Sequence, residues 1–357
     1  MFINIFAQTV GMKRPSTETK NKRKAFRFLK ILISLSIGIG LLYAVLWYGG
    51  ISEVLNVLSK ANVFYLSIGV LLWVLLNFVL SIRIKKILEY LGHRINYTES
   101  FLSHMAGVLA SDITPARVGY FSTAFLFKKE HNIPVTKGVM ALFGPQLFEF
   151  LWKVIISFAL FSVLIRTVAP SEQQLLLFII FGLLAGIGLI LILLAIISER
   201  FINRLRFLEM VPGIKHGYRM LVSLNEHGHS LINKWKLIWA TILIAWLLKG
   251  AEWYLVLHAL NITLFANPIF EILFLGCFQS FIFFLQFIPL PTVAGTGFTE
   301  GVSTGILILF GINPAAAVGF SVLTRLITLV VDIPLGMFKI THIGFDIIAS
   351  EKEALGG

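Results

Sequence analysis

Charge is scarce in this sequence. Only 13% of its 357 residues are Asp, Glu, Lys or Arg, against about 25% in a soluble domain. Cysteine is scarcer still: Cys277 stands alone in an apolar run, which excludes a disulfide framework and a cysteine-based zinc cluster. The eight histidines are scattered. Their one cluster, Glu226-His227-Gly228-His229, sits in a polar stretch without further partners at ligand spacing and reads as solvated surface. No Walker A, GxSxG or HExxH pattern occurs, so neither ATP-driven pumping nor familiar hydrolytic chemistry is indicated. No catalytic residue, metal ligand or cofactor is assigned. The alternation of polar and apolar residues that barrel strands need is also missing.

What fills the chain instead is hydrophobic sequence, 57% of the residues. The runs 31–48, 61–82, 174–198 and 315–338 reach or exceed the roughly 20 residues that a helix needs to cross the hydrocarbon. At that depth a backbone must satisfy its own hydrogen bonds, so the fold class is an all-α polytopic membrane protein. The net charge of +12 does not indicate nucleic acid, because the basic residues flank the apolar runs. Residues 1–30 hold eight Lys and Arg, 83–137 eight, 200–236 seven and the stretch after 338 two, whereas Lys60 and Arg166 alone fall on the opposite side. That asymmetry places both termini in the cytoplasm, with the protein in the cell membrane. The first apolar run is too long for a signal-peptide core and reads as a retained helix.

Full spans are expected near 28–48, 61–82, 140–166, 174–198, 236–262 and 315–338. Two further apolar segments, 100–127 and 268–311, are broken at their middles. The first break is Ser111-Asp112-Ile113-Thr114-Pro115-Ala116-Arg117-Val118-Gly119, and the second is Pro289-Leu290-Pro291-Thr292-Val293-Ala294-Gly295-Thr296-Gly297. Proline removes a helical donor and glycine frees the backbone, so both are expected to be unwound turns, pivoting on Thr114, Pro115 and Gly119 and on Pro291, Gly295 and Gly297. With two spans, a re-entrant hairpin and a span in each half, residues 28–166 and 174–338 have the layout of an inverted repeat. In transporters, interrupted segments at matching positions mark the substrate site. The alternative is eight or more spanning helices, with both broken segments crossing fully. A basic tail (1–27), the membrane domain (28–340) with a cytoplasmic connector (199–234), and a second tail (341–357) complete the expected organisation.

At the two turns the chain resembles the flippase-like transmembrane region of lysylphosphatidylglycerol synthases and the stand-alone membrane proteins that share it. The resemblance rests on Thr114-Pro115-Ala116-Arg117-Val118-Gly119 followed by Lys128-Lys129, on Pro289-Leu290-Pro291 with Gly295, Gly297, Glu300, Phe310-Gly311-Ile312 and Arg325, and on Trp246-Leu-Leu with Glu252. It covers about residues 28–340. Two departures matter. The family's usual glutamate after the first turn's glycine is Tyr120 here, and nothing in the 357 residues resembles the synthases' soluble aminoacyl-transferase domain. The resemblance therefore implies lipid handling without synthesis of lysyl-lipid.

A charge near the bilayer centre costs about 2.5–3.5 kcal/mol, so each one needs a reason. Glu149 with Lys153 and Lys249 with Glu252 lie on shared helix faces and are expected to pair. Arg325 and Asp332, seven apart, also share a face. Arg117 is a natural grip for a lipid phosphate, being bidentate and permanently charged. Helix N-termini at 118–120 and 297–299 would add donors. Glu300 would neutralise Arg325 or Arg117 or hold a cationic headgroup, and Asp112 would cap a helix. The expected function is translocation of a phospholipid or polyprenyl-phosphate-linked lipid, with Arg117, Lys249, Glu252, Glu300 and Arg325 at its headgroup. The alternatives are a membrane enzyme using Glu252, Glu300 or Asp112, and an accessory protein that presents lipid to a partner enzyme, either alone or as a homo-oligomer. No nucleic-acid partner is expected.

Overall fold

The computed structural model describes residues 35–168, 197–210, 229–285 and 295–356 continuously, with residue 292 and scattered positions between 183 and 226. Regular structure among these residues is helical throughout. Helix α1 (Leu35–Tyr48) bends by 84° at Gly49-Gly50 into α2 (Ile51–Ser59). Helix α3 (Val63–Tyr90) follows, then α4 (Tyr97–Asp112), a 3-10 segment (Pro115–Phe121), α5 (Ser122–His131) and α6 (Val135–Val168). In the second half α7 (Glu199–Arg204) and α8 (His229–Asn233) are short. They precede α9 (Trp235–Ala259), α10 (Pro268–Leu285), α11 (Phe298–Leu309) and α12 (Pro314–Gly356).

Among the described residues, four helices are long and apolar enough to cross a membrane: α3, α6, α9 and α12. A fifth is added if the bent pair α1–α2 counts as one span. The expected span at 174–198 and the turn residue Pro291 lie largely or wholly outside the described residues. Two expectations change in extent. Helix α3 runs on to Tyr90, so Arg83, Lys85 and Lys86 are helical rather than loop residues. The stretch 341–356 continues α12 instead of leaving it.

The packing has a reciprocal pattern. Helices α3 and α9 lie against each other, α4 packs on α12, and α10 packs on α6. Small residues permit the closest approaches, as is usual where helices meet in lipid. A Cβ on Gly250 of α9 would come within 2.5 Å of the Ile272 carbonyl on α10, and one on Gly336 of α12 within 2.6 Å of the Leu109 side chain on α4. Asn62 ties the two central helices end to end. Its side chain caps α3 by accepting from the Phe64 N–H, while its own N–H donates to the Ala259 carbonyl at the end of α9.

At one end of the α4–α12 pair, the Lys339 ammonium lies 2.6 Å from Glu99 and 2.8 Å from Glu130, with His131 3.7 Å from Glu99. Ligand atoms of Glu99, Glu130 and His131 come within 4.8 Å of one another. Lys339 already bridges both carboxylates, so the cluster is an ion-pair clamp joining α4, α5 and α12. Lys339→Met is expected to cost about 1–3 kcal/mol, discounted for the partial exposure of Glu99, and Lys339→Arg to retain most of it. A melting midpoint in detergent unchanged by Lys339→Met would show the clamp to be fully screened.

Candidate functional site

The helices enclose a cavity of about 180 Å³ between the two halves. Among the described residues its wall carries five cations, Arg83, Arg117, Lys153, Lys249 and Arg325, and two carboxylates, Glu149 and Glu300. Trp73, Trp152, Trp246, Trp253, Tyr120 and Phe283 supply much of the remaining surface.

Glu149 joins two of the cations. One oxygen accepts from the Lys153 ammonium at 2.9 Å, one turn along α6. The other accepts from both terminal nitrogens of Arg83 on α3, at 3.3 and 3.4 Å. Lys153 also stands 3.2 Å from the centroid of the Phe283 ring, a cation–π contact in a desolvated setting. The sequence reading counts Arg83 among basic residues flanking a span. The structure buries it to 3% exposure in the cavity wall. Nothing in the sequence sets it apart from Lys85 and Lys86, which follow it in the same helix.

Lys249 and Glu252 pair at 2.6 Å on α9, and the Lys249 ammonium lies 4.1 Å from the Trp73 ring centroid. Arg325 and Asp332 do not pair. Seven residues of helix separate them by about 10 Å, beyond direct contact. Arg325 instead reaches Glu300 at 3.6 Å and donates to Thr296, whereas Asp332 accepts from the Trp73 indole at 2.9 Å. Asp112 does more than end α4: one oxygen accepts from Arg117 at 2.8 Å.

The two turns are built differently from simple unwound loops. Thr114 is extended (φ −121°, ψ 142°), as a residue before proline prefers, and a 3-10 segment follows. Within that segment Arg117 has φ +55°, a left-handed conformation that costs a non-glycine residue energy and often accompanies function. In the second turn Gly295 and Gly297 have φ of +74° and +82°. One of the expected N–H groups beside each turn is already engaged. The Gly119 N–H donates to the Thr114 hydroxyl at 2.8 Å, and the Gly297 N–H to Glu300 at 2.7 Å. An anion in the cavity therefore meets side chains more than helix termini.

Sequence reasoning missed a buried polar line on the α3–α4 face. The Tyr120 hydroxyl lies 2.8 Å from Nδ1 of His104, whose Nε2 lies 3.1 Å from the Asn77 side-chain oxygen. Tyr120 thus occupies the place of the expected glutamate with a neutral group that hydrogen-bonds to a buried histidine. Several donors in the cavity wall have no acceptor among the described residues: Nε of Arg83 and Arg117, and the indole N–H groups of Trp152, Trp246 and Trp253. Buried donors normally find partners, so the surplus favours an occupant rich in acceptor oxygens.

Comparison with known proteins agrees with this architecture. The family model described as the lysylphosphatidylglycerol synthase TM region matches residues 28–336. A UPF0104 membrane protein of Pyrococcus horikoshii is 21% identical over 330 residues, covering 86% of this chain and 96% of that protein. A UPF0104 membrane protein of Methanocaldococcus jannaschii is 29% identical over 110 residues, covering 30% of this chain and 33% of that protein.

Proposed function

We propose that this chain, which belongs to the lysylphosphatidylglycerol synthase transmembrane-region family, moves an anionic, phosphate-bearing lipid between the leaflets of the cell membrane. The observation that carries the reading is the cavity wall: five cations line it, with five buried N–H donors that have no acceptor among the described residues. A phosphodiester supplies both the charge and the oxygens. Guanidinium groups hold it in bidentate fashion, and indole rings suit the junction of headgroup and tail, being apolar with one polar edge. Arg117, Lys249 and Arg325 grip the headgroup. Glu252 and Glu300 hold two of those cations in place. The acyl or polyprenyl tails stay in the bilayer.

The reciprocal packing of α4 on α12 and α10 on α6 supports an inverted repeat of residues 28–166 and 174–338, whose halves rock about the cavity. Helices α4 and α5 have 16 and 10 residues, about 24 and 15 Å at the helical rise, short of the ~30 Å hydrocarbon. Each is thereby suited to one arm of a re-entrant hairpin, and α10 with α11 to the second. Both termini face the cytoplasm on this reading, with the basic connector.

Reconstitution into liposomes with labelled phosphatidylglycerol or a labelled polyprenyl phosphate tests the proposal. Leaflet exchange is expected to fall about tenfold or more in Arg117→Ala or Arg325→Ala, each removing a charged hydrogen bond worth about 1.5–3 kcal/mol. Absence of exchange for both lipids by a correctly folded protein, or variants that match wild type, would overturn it. Appearance of a new lipid species on mass analysis would favour a headgroup-modifying enzyme instead.

A further inference from the structure

The polar line Asn77–His104–Tyr120 has a direction, and its far end decides what the cavity offers a cargo. The Asn77 side-chain N–H donates to the Trp73 carbonyl at 2.9 Å, one turn back along α3. Its oxygen is therefore the end that meets Nε2 of His104 at 3.1 Å. A carbonyl oxygen can only accept, which places the ring proton on Nε2. The ring is buried, and no carboxylate hydrogen-bonds to it among the described residues. An added charge there would go unpaired, so Nδ1 keeps its lone pair. The Tyr120 hydroxyl, 2.8 Å from Nδ1, is then the donor in that bond. Its oxygen retains lone pairs, with no donor to them among the described residues.

From this geometry we propose that Tyr120 selects the headgroup: its oxygen accepts a hydrogen bond from a hydroxyl of an uncharged polyol, glycerol or sugar, esterified to the phosphate. Asn77, His104 and Tyr120 all line the cavity, as does Arg117, three residues before Tyr120 in the same 3-10 segment. One segment thus presents a cation for the phosphate and a neutral acceptor for what the phosphate carries. The Tyr120 ring is held edge-on between two others, 5.7 Å from His104 at 87° and 5.7 Å from Phe143 at 73°. The acceptor is therefore fixed before the cargo arrives. The inference rests on the lipid reading for the phosphate, but the direction of the polar line does not.

A cationic headgroup has no comparable place. Both oxygens of Glu149 are taken by Lys153 and Arg83. Those of Glu300 face Arg325 and the Gly297 N–H. An ammonium group would meet the cations of the wall without an open carboxylate among its described residues. A headgroup with neither charge nor hydroxyl fails differently, because it leaves the Tyr120 oxygen dry and unpaired. A site built to hydrogen-bond a hydroxyl rejects the analogue that lacks it more sharply than an apolar pocket rejects an extra one. Asn77 and His104 act through Tyr120 as positioning residues, since they turn its O–H away from the cargo.

Competition between paired lipids for the full chain in detergent, read by native mass spectrometry, isolates the hydroxyl. Phosphatidylglycerol is set against phosphatidylpropanol, and a polyprenyl-phosphate sugar against the methyl ester of the same polyprenyl phosphate. All four are monoanionic phosphodiesters. Wild type is expected to prefer the hydroxyl-bearing member of at least one pair by about three- to tenfold, and that pair identifies glycerol or sugar. Tyr120→Phe is expected to bind both members alike. The readout is a ratio within one variant, so a general loss of stability does not imitate it. No preference in either pair, or one kept in Tyr120→Phe, overturns the inference and leaves the anionic-lipid reading standing. Binding of none of the four by folded protein overturns that reading as well. Nitrogen-15 spectra of the histidine-labelled chain, with His104→Gln to identify the signal, are expected to show a protonated Nε2 and a bare Nδ1. A proton on Nδ1 instead overturns Tyr120 as the acceptor, whatever the lipid.

Discussion

Glu149→Ala is expected to destabilise the protein by about 3–5 kcal/mol, the cost of leaving buried charges uncompensated. The magnitude sits at the high end for a single substitution because one carboxylate serves two cations on different helices, Arg83 on α3 and Lys153 on α6. Side-chain exposures of 4% and 8% leave little water to replace it. The contact of Lys153 with Phe283 offsets only part of the loss, because a ring quadrupole is worth about 2 kcal/mol when desolvated. Denaturation in mixed detergent micelles reads the difference, and Glu149→Gln gives the part that is charge alone. Adding Arg83→Met to Glu149→Gln removes one stranded cation and is expected to recover part of the stability. Wild-type stability in Glu149→Ala would mean that water or lipid reaches the cluster and the burial argument fails.

Gly119→Val is the second large effect, and it acts on shape alone. A Cβ at this position would lie 2.0 Å from the Ala110 carbonyl oxygen, 2.4 Å from its carbon and 2.7 Å from the Thr114 hydroxyl. The nearest obstacles are backbone atoms of α4, which have no rotamer to change. Overpacking in a close-packed interior costs about 1–3 kcal/mol when side chains can shift, and here the 3-10 segment must leave α4. The Thr114–Gly119 hydrogen bond goes with it, and Arg117 moves off Asp112. Loss of a monodisperse, folded species, or a drop in melting temperature larger than in any neutral surface variant, is expected. Gly305→Ala is the control, since a Cβ there meets nothing within 4 Å and the substitution favours the helix by up to about 1 kcal/mol. Equal behaviour of the two variants would show that the turn does not depend on this close approach.

Taken together, the two substitutions separate the charges of the cavity from the turn that presents Arg117 to it. Glu149→Ala leaves the backbone of the turn intact, whereas Gly119→Val displaces Arg117 without altering any ionisable group.

The apolar runs and the scarcity of charge were sufficient to establish a polytopic helical protein, because a helix is the one short-range way for a lipid-exposed backbone to satisfy itself. Spacing along one helix was also enough for Glu149–Lys153 and Lys249–Glu252, since neighbours at i+3 and i+4 are fixed by the 3.6-residue turn. Proline and glycine marked where α4 ends and where α11 begins. Other contacts could not be read this way, because register between helices depends on crossings set by packed side chains far apart in sequence. Only the tertiary structure moved Arg83 from a flanking charge to a cavity wall and gave Glu149 its second cation. It separated Arg325 from Asp332 and satisfied the Gly119 and Gly297 N–H groups internally. The sequence determined which residues had to be buried in pairs, and the packing of one half against the other decided which partner each of them met.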